Sequence, residues 1–270
     1  MKTVTFTPKF KLCLILFSFT ALIGSSWAQV LEDLPDAPRV QPQNFSNNEI
    51  PLMYLRPVQA RPKQPAFHWK GAATQTFALL TMEQSFRMVQ QKTRDHLGGR
   101  FFPEWFDCVH NLHGWSDGDS ILTNYIGHPI HSSWAGYVEI QNDSEGRYLQ
   151  FDNSDAYWMS RLRALGWAEL YEIQWHLGPM SEASIGHVGR PGTHTLGYVN
   201  LVTSAPGGLG LIVLEDWLDQ RIVAPHEART TSLNKRRVYR MLFSPGRAVA
   251  NLLRAQKPWY RDYRPIDWTR

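Results

Sequence analysis

Side chains that can carry acid–base or metal chemistry recur at helical spacing between residues 120 and 141. Asn124, His128 and His131 stand at i, i+4 and i+7, so a continuous α-helix places all three on one face. Histidine titrates near neutral pH and binds metal ions through either ring nitrogen. The spacing therefore predicts a polar helix face with two imidazole groups.

A second stretch with helical spacing begins apolar and then becomes ionisable. Its stripe runs through Trp158, Leu162, Leu165, Glu169, Glu172 and His176. Since the sequence around Glu172 stays rich in Trp and Leu, burial of that carboxylate requires a hydrogen bond or a raised pKa.

Three interpretations of these residues stay open. The favoured one is structural: polar side chains hydrogen-bond to one another and fix the helix register, namely Asn124, His128, Glu169 and Glu172. The second is metal-free hydrolysis, with Glu172 or Glu169 as the base, and with His128 or His131 as the acid. The third is a divalent metal site formed by His128, His131 and Glu172, as in helix-bundle cores. The first two interpretations involve no cofactor.

Hydrophobic periodicity predicts five main helices that position these residues. They lie near residues 72–94, 120–141, 155–177, 198–221 and 245–255. Few stretches alternate polar and apolar residues at period two, which is the pattern of half-buried strands. The sequence therefore predicts an all-α fold, built as a single helical bundle.

The sequence divides into four parts. Residues 1–28 have the basic start, uncharged apolar run and small-x-small site of a cleavable export signal. Residues 29–70 contain seven prolines, which exclude regular helix and central strand, so we expect an extended arm. Residues 71–256 form the predicted helical domain, and residues 257–270 form an aromatic and basic tail.

Removal of the export signal changes the charge of the chain. The full sequence has 28 basic and 24 acidic residues, and residues 1–28 hold three of the basic ones and none of the acidic ones. The remaining 25 basic and 24 acidic residues give a net charge of +1, which indicates no nucleic-acid partner.

Cysteine content restricts both cross-linking and metal binding. Cys108 is the one cysteine that follows the predicted signal, so an intramolecular disulfide is excluded. Together with His110 and His113 it could add ligands to a metal site nearby.

Several predicted helices are apolar on more than one face. Such a helix lies at the centre of a bundle or meets lipid. Residues 120–138 and 191–214 contain no Asp, Glu, Lys or Arg over a membrane-crossing length. However, the first holds two histidines and the second holds Pro206, so neither resembles an ordinary lipid-facing span. The mean hydropathy of −0.35 also argues against a polytopic membrane protein, so lipid contact and a soluble bundle both stay open.

The tail at residues 257–270 alternates aromatic side chains with arginines. This composition suits the stacking of single-stranded nucleic acid, which an exported protein seldom meets. It also suits a membrane interface. The third alternative is a tail that packs on its own domain through its rings.

Two of these regions also carry a family resemblance. The run Thr-Asn-Tyr-Ile-Gly-His-Pro at residues 123–129, followed by small and aromatic residues, resembles the Asn-Tyr-x-x-His-Pro signature of a bacterial family, domain of unknown function 3943. An ordered set farther along is similar to the same family's Glu, Ser, Asn and Gly-Gly positions: Glu172, Ser181, Ser184, Asn200, residues 207–210 and Glu215. The resemblance covers residues 120–216. It implies an exported, mostly helical envelope protein, and it adds Asn200 to Asn124 and His131 as candidate substrate-binding residues.

The sequence as a whole predicts an exported protein of the periplasm or cell envelope, structural or lipid-associated, with a buried His/Glu/Asn cluster. The alternative is a hydrolase that acts on an envelope lipid or glycan. Membrane lipid or another envelope component is the expected partner.

Overall fold

The computed structural model describes residues 67–192 and 195–266. Nine α-helices follow one another in these residues: α1 (Trp69–Val89), α2 (Gln91–Asp95), α3 (Phe101–His110), α4 (His128–Asn142), α5 (Asp155–Leu177), α6 (Tyr198–Leu218), α7 (Ala224–Arg229), α8 (Leu233–Phe243) and α9 (Pro245–Leu253). Isolated bridges pair Phe67 with Asp143 and Leu112 with Leu196, and the described residues contain no extended strand. The predicted all-α fold is confirmed. The predicted export signal, and the predicted arm up to residue 66, lie outside the described residues.

Helix α4 forms the centre of the bundle. It packs against α1, α5, α6 and α9, and every residue from Ala135 to Asn142 is buried. Small residues allow this close approach. A Cβ added at Gly136 would lie 2.6 Å from the side chain of Ile212 on α6, and one added at Gly208 would lie 2.9 Å from Ser132 on α4. A Cβ added at Gly207 would lie 2.7 Å from Pro129, so Gly207 and Gly208 both act in helix packing.

Side-chain caps mark where several helices begin. Ser154 precedes α5 and its hydroxyl accepts a hydrogen bond from the Tyr157 backbone N–H at 3.2 Å. Helix α9 is capped from another helix, because the Glu215 carboxylate on α6 accepts from the backbone N–H groups of Gly246 at 2.8 Å and Arg247 at 3.2 Å. A negative charge at this position also favours the helix dipole.

The five predicted helices are present, but three features differ from the prediction. The first helix is interrupted at Gln90, whose backbone is extended. The second begins with a π-helical turn, Thr123–Gly127, before α4. Helices α3, α7 and α8 were not predicted. Pro103 made the α3 stretch resemble a turn, although proline is tolerated in a first helical turn, and α8 is short and strongly basic.

Buried ion pairs join the C-terminal elements to α5 and α6. Asp216 on α6 pairs with Arg161 on α5 at 2.7 Å and with Arg247 on α9. Just beyond α6, Asp219 pairs with Arg261 at 3.2 Å and with Arg264 at 2.9 Å. These aspartates and arginines are buried, so each depends on its partners to replace lost hydration.

Residues 257–266 pack on the helical domain. Tyr263 donates a hydrogen bond to Asp219 at 2.7 Å, and Arg240 of α8 donates one to the Trp259 carbonyl at 3.0 Å. Arg261 is fully buried. For these residues the structure agrees with the third alternative for the tail, and the domain extends beyond the predicted boundary at residue 256.

We predict that Asp219→Asn destabilises the protein by about 3–5 kcal/mol, because it leaves buried arginines without their counter-charge. Urea unfolding followed by circular dichroism measures the loss. Asp155→Asn, at an exposed position in the first turn of α5, is the control and should cost under about 1 kcal/mol. Equal losses for the two variants would contradict a dominant role for the Asp219 network.

Candidate functional site

Six side chains from three helices and one loop meet inside the bundle, and we call them the histidine–glutamate cluster. Helix α1 contributes one residue, α4 two, α5 two and the loop after α5 one: Glu83, His128, His131, Glu172, His176 and Glu182. Helix periodicity brings His128 and His131 to the same side of α4, and brings Glu172 and His176, four residues apart, to the inner side of α5.

His131 is held between two carboxylates. Its Nε2 pairs with Glu83, and its Nδ1 lies 3.3 Å from Oε1 of Glu172. Burial lowers the pKa of His131, but the negative charges of Glu83 and Glu172 outweigh burial and raise the pKa to about 10. The ring is therefore an imidazolium at neutral pH, and both its nitrogens are in use.

Glu172 is fully buried and ionised. Burial raises its pKa, whereas His131 and then His176 lower it, with the net result that the pKa of Glu172 is about 2. The sequence predicted that a buried Glu172 needs a hydrogen bond or a raised pKa, and the structure shows the hydrogen bond, from His131. A carboxylate with so low a pKa is a weak general base, so the hydrolytic role assigned to Glu172 stays a prediction.

His176 connects Glu172 to a residue of the following loop. Its Nδ1 lies 2.5 Å from Oε1 of Glu182, and its Nε2 lies 3.5 Å from Oε2 of Glu172. Burial lowers the pKa of His176, and the neighbouring carboxylates raise it to about 9. Glu182 responds in the opposite sense: burial raises its pKa, and the charge of His176 lowers it to about 2.

His128 differs from the other two histidines in being neutral. Its ring centroid lies 5.1 Å from that of His176 and 6.3 Å from that of His131. Burial, followed by the charge of His176, lowers the pKa of His128 to about 4. His128, Glu172 and His176 each place one potential ligand atom within 4.8 Å of the other two.

Two of the predicted site residues belong to a different contact. Asn124 and Asn200 both donate through Nδ2 to Asp117, at 2.8 and 2.6 Å, one to each carboxylate oxygen. Asn124 lies in the π-helical turn before α4, where residue spacing differs from that of an α-helix. Its side chain is bonded to Asp117, whereas the histidines contact the glutamates of the cluster.

The remaining candidates lie at the edge of the cluster or outside it. Glu169 is half-exposed, and its pKa is raised by burial and by the charge of Glu172. Cys108 packs against Ala183 and Leu196, and burial raises the pKa of its thiol to about 11, so it is not a thiolate at neutral pH. The predicted loop ligand His113 directs its Nδ1 to the Asn111 carbonyl at 2.7 Å.

Sequence reasoning missed Glu83, Tyr171 and Glu182. Tyr171 donates a hydrogen bond to Glu83 and so fixes the carboxylate that pairs with His131. A signal for Glu83 was present, because it lies on the α1 face that buries Leu79 and Leu80, where an unpaired carboxylate would be costly. Glu182 lies in a loop, and no helical period relates it to His176.

No protein-family model matches this sequence, and comparisons with curated proteins and with solved structures found no match. The resemblance to domain of unknown function 3943 therefore stays a prediction that depends on the motif residues between 120 and 216.

We predict that the free energy of unfolding decreases as pH rises from about 7 to 9.5. The folded-state pKa of His131, about 10, lies above its ordinary value of 6.5. The stabilisation is therefore complete below pH 6.5 and is lost as pH rises through the folded-state pKa. Urea titrations at several pH values, with a chelator present, measure this slope.

The variant His131→Gln should show a shallower slope over the same pH range, because it removes one of the two histidines with a raised pKa, His131 and His176. His226→Gln is the control, since this half-buried ring stacks on Tyr239 outside the cluster. A wild-type slope unchanged by His131→Gln would contradict the protonated state of His131.

Proposed function

We propose that this chain is an exported, lipid-associated protein of the cell envelope. The observation that supports the proposal best is the distribution of polarity on α5 and α6. Helix α6 directs its charged side chains inward and uncharged, mostly apolar side chains to the surface, which is the reverse of an ordinary amphipathic helix of a globular protein. Helix α5 does the same along one stripe, although Asp155 and Arg163 elsewhere on that helix are exposed.

Helix α6 carries an exposed row without a charged side chain along its whole length. The row follows four-residue steps and then a three-residue step, through Tyr198, Val202, Pro206, Gly210, Leu214 and Trp217. At about 1.5 Å per residue the row is about 28 Å long. The buried side of the same helix carries Asn200, Glu215 and Asp216.

Helix α5 has a similar arrangement. Its exposed stripe consists of Met159, Leu162, Gly166, Leu170 and Ile173, whereas its buried side includes Arg161, Glu172 and His176. Apolar residues just before α4 and in its first turn are exposed as well: Ile121, Leu122, Tyr125, Ile126 and Ile130. Exposed apolar surface of this extent is typical of a site that contacts lipid or protein.

A lipid partner agrees best with the predicted export signal and with the uncharged stripes. The predicted export signal delivers the chain to a compartment bounded by membrane. The stripes have no charges, and their hydrogen-bonding side chains are Tyr198 and Trp217 at the two ends of the α6 row, residue types typical of a membrane interface. None of the helices in residues 67–192 and 195–266 combines the length and hydropathy needed to cross a membrane. The contact that we propose is therefore association with lipid through these faces.

We predict that the chain binds vesicles of phosphatidylethanolamine and phosphatidylglycerol, and that Leu170→Glu combined with Val202→Glu weakens binding at least tenfold. Each leucine or valine that loses burial in lipid forfeits about 1.5–3 kcal/mol, and about 1.4 kcal/mol corresponds to a factor of ten. Vesicle flotation over a range of lipid concentrations measures the partition.

A matched control uses two apolar residues of α8. Leu170 and Leu242 are 66% and 67% exposed, and Val202 and Val238 are 52% and 53% exposed. The pair Leu242→Glu and Val238→Glu therefore introduces the same charges at positions of equal exposure. Absence of vesicle binding by the wild-type chain, or equal loss in both double variants, would overturn the proposal.

A further inference from the structure

Two buried polar atoms of the histidine–glutamate cluster face each other without a hydrogen bond. Oε2 of Glu172 and Nε2 of His176 lie 3.5 Å apart, and neither has a hydrogen-bond partner. Glu172 is fully buried and His176 is 3% exposed, so water from the surface does not replace the missing partners. Such atoms inside a folded protein call for an occupant that satisfies them.

The other contacts of these two residues leave the same atoms available. Glu182 binds the Nδ1 side of His176 at 2.5 Å, and His131 binds Oε1 of Glu172 at 3.3 Å. With one proton on Nδ1 directed to Glu182, Nε2 of His176 presents a lone pair toward Glu172 once its own proton is displaced by a metal ion. A histidine held by a carboxylate in this way is the usual support for a metal-ligating ring.

The spacing of the two atoms suits a small divalent ion. Nitrogen and oxygen ligands lie about 2.0–2.2 Å from zinc, so two ligands of a tetrahedral ion are about 3.4 Å apart. The separation of 3.5 Å between His176 Nε2 and Glu172 Oε2 matches this value. His128 brings a third ligand atom within 4.8 Å.

We propose that His128, Glu172 and His176 bind one divalent transition-metal ion of the zinc class. Two imidazole nitrogens and one carboxylate oxygen are the ligand types that zinc, cobalt, nickel and iron accept, whereas calcium and magnesium prefer oxygen alone. Three protein ligands leave one position open for water. His131 is not a ligand, because its two nitrogens are used by Glu83 and Glu172, and this differs from the set of three suggested by the sequence.

Two other residues of the cluster orient the proposed ligands. Glu182 is a positioning residue that orients His176, and His131 is a positioning residue that turns the other oxygen of Glu172 toward the ion. His128 is the one ligand of the three that is not buried, so it lies on the side from which an ion enters.

The full-length chain, stripped of metal with a chelator, tests the site. We use cobalt(II) as the probe, because its visible absorption reports coordination by the protein, and then zinc in competition. One cobalt ion per chain is expected. His128→Ala should weaken binding at least tenfold, and Glu182→Gln should weaken it by about 10–100-fold, as loss of an orienting partner does.

His226→Gln is the matched control, since this ring is also half-buried and lies outside the cluster, and it should bind cobalt like the wild type. Far-UV circular dichroism shows that each variant is folded, and Glu182→Gln keeps the test decisive if His128→Ala does not fold. Absence of cobalt binding by the wild-type chain would overturn the proposal. The space between Nε2 of His176 and Oε2 of Glu172 would then hold only the proton of His176. Binding that neither variant weakens would also overturn the proposal.

Discussion

The structure depends on carboxylates that are removed from water and can stay ionised only beside a cation. Glu172 is buried and has a pKa of about 2 because His131 and His176 compensate for the cost of burial. Asp219 obeys the same constraint with Arg261 and Arg264, which hold its pKa well below its ordinary value. Since the partners come from different segments of the chain, each ion pair also specifies which helices lie side by side.

The inward direction of these charged side chains explains why the exposed stripes of α5 and α6 are apolar. Helices α5 and α6 direct Arg161, Glu172 and Asp216 inward, where each has partners, and apolar residues are left for the outside. A protein in water gains little from such an arrangement, because exposed leucines contribute no burial energy. The lipid contact that we propose would remove that surface from water and leave the ion pairs inside unaffected. The exposed stripes and the buried charges are thus two consequences of one distribution of residues.

Helical periodicity predicted the elements but only part of the site. The spacing of His128 and His131, and that of Glu172 and His176, correctly placed both pairs on inner faces of neighbouring helices. The contact of Asn124 with Asp117, and the π-helical turn at Thr123–Gly127 that holds it, were not predicted, because no residue pattern in the sequence indicated them. Glu182 could not be predicted, because its position depends on the path of a loop in which Gly186 and Gly189 adopt positive φ. The sequence left three roles open for the C-terminal tail, since the partner of Arg261 and Arg264, Asp219, is remote in sequence.

The charges around the proposed ion-binding atoms are already partly balanced. Burial raises the pKa of Glu182, and the charges of His176 and then of Arg87 on α1 lower it to about 2. Burial likewise raises the pKa of Glu172, and His131 and His176 lower it to about 2. A divalent ion bound between His176 and Glu172 would replace the proton on Nε2 of His176 and so add one positive charge beside an ionised carboxylate. The atoms that lack hydrogen bonds are therefore those at which one proton can be exchanged for an ion.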